Sequence, residues 1–425
     1  MSSADDGRAR DVRFRRQLTI GPSEIASPYD FGFQLRHYVV APEAREGRKL
    51  VEIVRLGSGK LVKIDIRSLG THEAPQLELT LSSGHVLSRT DVEEARRVVV
   101  WRLGLEDDLR PFYAAVADDP VLSASIEHNF GAKGKSAFSM FDAVIDVICA
   151  QNTAFRRLYT MRANLAAAFG EPLGTAERVY HASPTPAQLA VAPLDAIRAC
   201  GVGYRDRCIK GIAQAVVGGV DLERLRGMPR SEARTALMKL PGVGPYTADL
   251  GLIIGARRQD AMFIDVFLRE VLRTFYFDGE PVSEATLSRF AEQRWGPHQG
   301  YAWLYLSTNT EVWARSLGVA FRLRSGALSD RTLCEGRDRR VLVRADPRQA
   351  PPLEAWLPQP ISTSGIAAVA VRQLEQHGDH YEHRRLQHGQ LHGHRGRLGG
   401  EHRRLVHRRE HESLQGAVLG LGFIA

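Results

Sequence analysis

The stretch KLPGVGPYTAD, residues 239–249, constrains the fold of this chain more than any other segment. The residues before it, 231–239, carry apolar side chains at helical spacing and predict a short amphipathic helix. Gly242 and Gly244, two positions apart, then allow a very tight turn. Pro245 suits the first position of a second helix, since its missing N–H would have no partner there. The pattern predicts two helices joined by a tight hairpin.

This hairpin would leave backbone N–H groups bare at the start of its second helix, an arrangement that binds phosphate. Because the turn glycines have no side chain, a nucleic-acid backbone can approach closely without its sequence being read. The residues of the predicted DNA-binding hairpin are Leu240, Gly242, Val243, Gly244, Tyr246 and Thr247. Lys239, beside the turn, is either a surface lysine or a phosphate contact.

Asp265 lies among apolar neighbours in the segment AMFIDVFL, residues 261–268, where a carboxylate needs a specific role. An N-cap for a following helix is one explanation, because Asp commonly caps helices. A functional carboxylate is the other explanation, and the two roles are compatible.

The hairpin, followed by an Asp 19 residues after Tyr246, resembles the helix–hairpin–helix, Gly/Pro-rich, Asp-containing (HhH-GPD) superfamily of DNA glycosylases, in particular the bacterial alkylbase (3-methyladenine) glycosylase II. The resemblance implies that Asp265 is the catalytic aspartate, which stabilises the charged sugar as the damaged base leaves or orients the attacking water. Relatives that also nick DNA carry a Schiff-base lysine at the position of Tyr246. A tyrosine cannot form that imine, so the resemblance implies a monofunctional glycosylase.

An α+β fold is expected, with an N-terminal antiparallel β domain followed by a two-lobed, mostly helical catalytic domain. Strand-like segments before residue 105, among them 35–40, 49–56 and 97–101, predict the sheet. The predicted division is 1–16 as a polar segment, 17–105 as the β domain, 106–325 as the HhH-GPD domain and 326–425 as a low-complexity tail.

Two helices predicted within residues 138–169 meet at a polar junction. By resemblance to the 8-oxoguanine glycosylases, Asn152 fills the space that the flipped nucleotide leaves in the duplex; a polar helix-end residue is the alternative. Gln151 and Arg157 are further candidates for DNA contact, and Arg157 would face the orphaned base.

The step Gly203-Tyr204-Arg205, followed by a helix predicted over 206–217, resembles the loop that supplies an aromatic wedge in these enzymes. Tyr204 is the predicted wedge, because an aromatic ring can insert between base pairs; ordinary packing at a helix start is the alternative. Arg205 is predicted to be a phosphate partner or a solvated charge.

Residues 300–317 predict one long, aromatic-rich helix. Its Trp303, Tyr305 and Trp313 are candidates for lining a base pocket, because flipped bases are read by stacking and by hydrogen bonds. An aromatic stripe at helical spacing more often belongs to a core, so no single one of the three is favoured.

Composition bounds the remaining possibilities. A net charge of +8 is consistent with the implied partner, double-stranded DNA with a damaged base. The scattered Cys149, Cys200, Cys208 and Cys334 match no disulfide, zinc or iron–sulfur pattern. No cofactor is expected beyond a monovalent cation at the hairpin, which the resemblance implies. With no apolar leader and no membrane-length apolar run, the sequence predicts a cytoplasmic monomer that acts on the nucleoid.

Beyond residue 325 the chain is rich in Arg, His, Gly and Gln, and no apolar period survives. The composition predicts little stable structure. A metal-binding His-rich tract and out-of-frame translation of a GC-rich gene end are the two explanations, and neither assigns a function.

The leaving group favours one substrate class. Cationic alkylated purines such as 3-methyladenine leave readily, so a site without a strong general acid suffices for them. The segments CAQNT and GYR, in contrast, favour the 8-oxoguanine branch. A non-catalytic hairpin protein that only binds DNA, with Asp265 as a plain cap, is the rival from another class.

Overall fold

The structure is a computed structural model that describes residues 10–321. The tail predicted over 326–425 lies outside the described residues, as does most of the polar segment predicted over 1–16. The strands are β1 (Arg10–Asp11), β2 (Phe14–Ile20), β3 (Ala44–Glu46), β4 (Lys49–Arg55), β5 (Leu61–Ser68), β6 (Leu77–Ser83), β7 (Pro172–Gly174) and β8 (Val179–His181).

Every helix follows strand β6 in the chain except the first, which lies between β2 and β3. The helices are α1 (Phe31–Arg36), α2 (Arg89–Arg102), α3 (Arg110–Ala115), α4 (Pro120–His128), α5 (Met140–Ala150), α6 (Phe155–Phe169), α7 (Pro186–Val191), α8 (Leu194–Ile197), α9 (Asp206–Val217), α10 (Arg230–Leu237), α11 (Pro245–Ala256), α12 (Val266–Tyr276), α13 (Glu284–Trp295), α14 (Gln299–Ser307) and α15 (Thr310–Ser316). The predicted fold class, an antiparallel sheet ahead of a helical region, is confirmed.

The main sheet has five strands in the order β2-β6-β5-β4-β3, all antiparallel. Alternate residues of β4 face opposite sides, so Leu50 packs on one core while Val51 and Ile53 pack on another. The second face is covered by a three-stranded sheet, β1-β7-β8, which the sequence analysis did not foresee. Burial on both faces explains why β4 carries apolar residues on both sides, Leu50 and Val54 on one and Val51 and Ile53 on the other.

Two predicted strands are wrong. Residues 97–101 belong to α2, whose start is fixed by a capping box between Ser88 and Asp91. Ala95 and Val99, one turn apart, pack from this helix onto the sheet. Residues 35–40 contain the end of α1 and a loop. In both segments tertiary packing outweighs the β-propensity of the valines.

The helical region is built around α5, whose residues are buried nearly all round. α11 packs against it closely at Gly255, where an added Cβ would lie 2.7 Å from the Cβ of Ala143. α5 ends at Ala150, and α11 begins at Pro245. Because the end of α5 and the start of α11 lie side by side, their flanking loops face the same surface.

Most predicted helices are confirmed, including the one over 206–217 as α9. The single helix predicted over 300–317 is wrong, since α14 and α15 are separated at Asn309, which has a φ of 53°. Asn tolerates this left-handed conformation better than most residues, and its Nδ2 donates to Asn129 Oδ1 at 2.7 Å. None of the helices over residues 10–321 combines the length and apolarity that crossing a bilayer would require.

A buried cluster of charges joins the sheet to the helical region. Arg102, at the end of α2, donates to Glu52 of β4 at 2.6 Å and to Glu43 at 3.2 Å. Lys135 donates to the other oxygen of Glu43 at 2.7 Å. All four side chains are at most 5% exposed, and burial raises the pKa of Glu52. The cluster holds the two regions in one arrangement.

Replacing Arg102 by Leu is expected to lower the free energy of unfolding by ~3–5 kcal/mol, because Glu52 would stay buried without its partner. Urea unfolding of the wild type and the variant measures the difference. Arg67→Leu is the matched control, since Arg67 pairs with Glu78 at 2.6 Å in the same sheet and its side chain is 52% exposed. Equal losses in the two variants would contradict the assigned role of the cluster.

Candidate active site and DNA-binding surface

The predicted hairpin is present between α10 and α11. Gly242 has a φ of 74°, and the Val243 N–H closes the turn on the Leu240 carbonyl at 3.2 Å. A Cβ on Gly242 would lie 2.5 Å from Cys208 Sγ, so packing and conformation both require glycine. Gly244 is the N-cap of α11, and Pro245 is its first residue, as predicted.

The hairpin has apolar side chains that are buried in the core and other residues that are exposed to solvent. Leu240 and Val243 are buried, whereas Gly242, Pro245 and the neighbouring Lys239 are exposed. The first N–H groups of α11 have no partner within the helix, and together with the helix dipole they favour an anion there. The predicted contact between the hairpin and DNA phosphate fits this geometry.

Asp265 is both a helix cap and a carboxylate with unused capacity. Its Oδ1 accepts a hydrogen bond from Leu268 N at 2.7 Å at the start of α12. Its Oδ2 is buried and has no hydrogen-bond partner, although the side chain is 8% exposed. Burial raises the pKa of Asp265 to about 6. The backbone N–H groups of Leu268 and Phe267 act in the opposite direction and lower it. The cap role is confirmed, and one oxygen remains for another function.

Asp265 lines a cleft, and many of the residues predicted to bind DNA line the same cleft. The lining residues are Ala150, Gln151, Asn152, Gly242, Gly244, Pro245, Tyr246, Thr247, Ile264, Asp265, Val266 and Arg269. The structure thus brings the hairpin and the polar junction after α5 to Asp265. Tyr204 and Arg157 do not line the cleft, but both side chains are exposed, and their roles on DNA remain predictions.

Gln151 connects three parts of this surface. Its Nε2 donates to the Gly242 carbonyl at 2.9 Å and to Thr247 Oγ1 at 2.8 Å, which ties the junction to the hairpin. Its own carbonyl accepts a hydrogen bond from Arg205. Next to it, Asn152 is exposed with a φ of 46°. The side-chain amide of Gln151 is therefore engaged within the protein, and a DNA contact from it remains a prediction.

Arg205 is 5% exposed, which rules out the solvated-charge alternative. Besides Gln151, it donates to the Val202 carbonyl at 3.1 Å. Its guanidinium lies 4.6 Å from the ring centre of Tyr204, and that ring is 63% exposed. Arg205 therefore holds the loop from which the ring of Tyr204 projects, and the exposed ring itself is accessible to a partner.

Tyr246 forms one wall of the cleft, and its ring meets Phe263 edge-on at 5.1 Å between centroids. Burial and the nearby Asp265 carboxylate raise the pKa of its hydroxyl. It therefore stays a neutral phenol at neutral pH. None of the described residues that line the cleft is a lysine.

Arg269 is a cleft residue that the sequence analysis missed. It lies one helical turn after Asp265, and its charge lowers the pKa of that carboxyl. Its Nη2 pairs with Glu284 at 2.9 Å in an exposed contact. The spacing of four residues from Asp265 on a predicted helix was the signal that could have found it.

Within residues 10–321, no three His, Cys, Asp or Glu side chains come together so that they could hold a metal ion. The predicted monovalent cation would use backbone carbonyls of the hairpin, which suit a hard cation. Two of these carbonyls already accept hydrogen bonds, that of Gly242 from Gln151 and that of Leu240 from Val243. Cation binding remains a prediction.

Comparison with known proteins identifies the class. Residues 145–297 match the profile of the family described as HhH-GPD superfamily base excision DNA repair protein. A probable N-glycosylase/DNA lyase of Methanothermobacter thermautotrophicus is 28% identical over 250 residues, 54% of this chain and 78% of that protein. A putative DNA-3-methyladenine glycosylase of Bacillus subtilis is 24% identical over 294 residues, 68% of this chain and 98% of that protein.

Among solved structures, the 3-methyladenine DNA glycosylase from Archaeoglobus fulgidus superposes with a TM-score of 0.57 at 20% identity, over 68% of this chain and 97% of that one. The match shows that the two proteins share a fold. The chain therefore carries an HhH-GPD domain, and relatives that it matches are named as DNA glycosylases.

Asp265→Asn is expected to be more stable than the wild type above pH 6, by up to ~3 kcal/mol. The folded pKa of Asp265, about 6, lies above its ordinary value, so the native state loses stability as the pH rises from about 4 to 6. Asn keeps the capping oxygen and lacks the buried charge. Urea unfolding between pH 4 and pH 7.5 measures the effect.

Asp108→Asn serves as the control of opposite sign, because Arg110 lowers the pKa of the Asp108 carboxyl. That variant is expected to lose stability above pH 4. If Asp265→Asn were less stable than the wild type at pH 7, the assigned burial cost of Asp265 would be wrong.

Tyr204→Ala is expected to slow single-turnover base excision roughly 5- to 150-fold, since stacking of one base on an aromatic ring contributes ~1–3 kcal/mol. Folding stability should not change, because the ring is 63% exposed. Val191→Ala is the matched control, with a side chain on α7 that is 81% exposed. Unchanged excision by the Tyr204 variant would remove the wedge role.

Proposed function

We propose that this chain is a monofunctional DNA glycosylase that hydrolyses the N-glycosidic bond of a flipped, alkylated purine such as 3-methyladenine. The product would be an abasic site in otherwise intact duplex DNA. One observation carries the proposal. The Oδ2 of Asp265 is buried without a partner, in a residue that lines the same cleft as a phosphate-binding hairpin.

The chemistry follows from that carboxylate. As the bond between the sugar C1′ and the base nitrogen lengthens, the electron pair leaves with the base and positive charge develops on the sugar. Asp265, mostly ionised at pH 7 with a pKa of about 6, offsets that charge in a site drier than bulk water. Water then adds to C1′ and loses a proton, for which the Asp265 carboxylate is the available acceptor.

The monofunctional assignment is supported by the side chains around the cleft. A bifunctional enzyme forms an imine between an amine and C1′. Tyr246 occupies the corresponding position here, and the described residues that line the cleft include no lysine. Strand cleavage is therefore not expected without added base.

The preference for an alkylated purine is supported by the absence of an acid other than Asp265 among those lining residues. Tyr246 has a raised pKa and is a poor proton donor, while Arg269 stays charged. A base that already carries a positive charge needs no protonation to leave. The relatives named as 3-methyladenine glycosylases agree with this choice.

The second candidate is a glycosylase/lyase of the 8-oxoguanine type. It is favoured by the arrangement of Asn152 and Tyr204 on exposed loops and by the name of the relative from Methanothermobacter, a probable N-glycosylase/DNA lyase. An 8-oxoguanine glycosylase/lyase from Clostridium acetobutylicum shares the fold, with a TM-score of 0.52 at 17% identity. This function would need an amine near C1′.

Cleavage of labelled duplexes, with and without hot alkali, tests the proposal. The duplexes carry a methylated purine, hypoxanthine, 8-oxoguanine or uracil, and the enzymes are the wild type and Asp265→Asn. We expect nicks at the methylated purine only after alkali, and none with the variant. The chain is proposed to act as a monomer, so the rate should be first order in enzyme.

Other outcomes point elsewhere. Nicks without alkali, together with an enzyme–DNA adduct trapped by borohydride, would establish the lyase and overturn the assignment based on Tyr246. Tight binding of every duplex with no base released from any would favour a non-catalytic DNA-binding protein.

A further inference from the structure

A second cavity lies behind the Asp265 cleft. Its volume is about 90 Å³. α5, α6, α11 and α14 contribute to its wall, together with the segments 38–42 and 134–138. Several wall residues are aromatic, namely Tyr38, Phe138, Phe155, Tyr301 and Trp303.

The cavity is close to the catalytic cleft. Phe263 contacts the rings of both Tyr246 and Trp303, at 5.1 Å and 5.0 Å between centroids. Tyr246 lines the cleft and Trp303 lines the cavity. Tyr38, also in the cavity wall, is near enough to Tyr246 to raise the pKa of its hydroxyl. Two successive ring contacts therefore connect the cleft that Asp265 lines with the aromatic wall of the cavity.

The charged residues of the wall are already paired within the protein, Arg257 with Asp107 among them. Arg162 forms ion pairs with Asp142 at 3.0 Å and with Asp146 at 2.5 Å. Arg102 and Lys135 bind the buried glutamates described above. These groups are engaged within the protein and offer no free charge to a ligand.

Trp303 differs from them. Its side chain is 4% exposed, and its indole Nε1 is buried without a hydrogen-bond partner. Burying an N–H donor without a partner is unfavourable, so such a group calls for an explanation. The other two aromatic candidates from this region are satisfied: Tyr305 shares a hydrogen bond of 2.7 Å with Tyr113, and Trp313 donates to the Thr308 carbonyl at 3.0 Å.

We propose that Trp303 determines specificity by donating its indole N–H to an acceptor atom of the flipped purine, a ring nitrogen or a carbonyl oxygen. The aromatic wall supplies stacking, and the N–H disfavours a base that presents an amino group at that point. This inference rests on the proposed function, since it assumes that a base is extruded into the site.

The test uses DNA methylated with dimethyl sulfate, which carries both 3-methyladenine and 7-methylguanine. Release of each base is measured under single-turnover conditions. The enzymes are the wild type, Trp303→Phe, and a semisynthetic form with benzothienylalanine at position 303, which keeps the ring shape but replaces N–H by sulfur. Trp313→Phe is the matched control. Affinity for a duplex with a tetrahydrofuran abasic site is measured in parallel.

We expect both changes at position 303 to slow release of the preferred base roughly tenfold, the loss of one hydrogen bond that forms on extrusion, and to change the ratio of the two released bases. Affinity for the abasic duplex, which has no base to read, should stay within about twofold. Trp313→Phe should keep the wild-type ratio, since its N–H bonds only within the protein.

Wild-type rates and ratio with benzothienylalanine would overturn this inference alone and leave an ordered water as the partner of the N–H. A parallel loss of abasic-site affinity would also overturn it, by showing a general packing defect. If the wild type released neither base and was also inactive on hypoxanthine, 8-oxoguanine and uracil duplexes, the proposed function would fail and this inference with it.

Discussion

The candidate active site depends on the burial of one carboxylate at the start of a helix. One carboxylate oxygen of Asp265 accepts a hydrogen bond from the Leu268 N–H, and the other has no partner. Taking this group out of water is unfavourable, and its pKa rises to about 6 as a result. The N–H groups of α12 limit the rise, because they stabilise the charged form. A carboxylate held in this way is ionised at neutral pH and is not neutralised by a partner.

Close helix packing around that carboxylate positions the loops that carry the predicted DNA contacts. Gly255 lets α11 approach α5 closely, and the adjoining ends of these helices present the hairpin and the polar junction on one surface. Gln151 then links the junction to Gly242, while Arg205 links it to the loop of Tyr204. The parts predicted to hold DNA and extrude a nucleotide are thus coupled by hydrogen bonds, as precise positioning requires.

The features that neighbouring residues determine, such as turns and helix caps, could be predicted from the sequence. The hairpin, its glycine at positive φ, the helix over 206–217 and the cap at Asp265 all follow from turn and capping chemistry. The strands expected over 35–40 and 97–101 failed because a capping box and core packing outweigh β-propensity. The break at Asn309 depends on a distant Asn129. The unsatisfied N–H of Trp303 is likewise invisible to sequence, because satisfaction depends on the whole surrounding fold.

The most direct test is the pH dependence of single-turnover excision of 3-methyladenine at subsaturating DNA, which reports groups of the free enzyme. If Asp265 must be ionised, the rate should rise about tenfold per pH unit below pH 6 and become level above it, with the midpoint near the pKa of about 6. A rate that is constant from pH 5 to pH 8 would contradict the account, because no buried carboxylate with that pKa could then be essential.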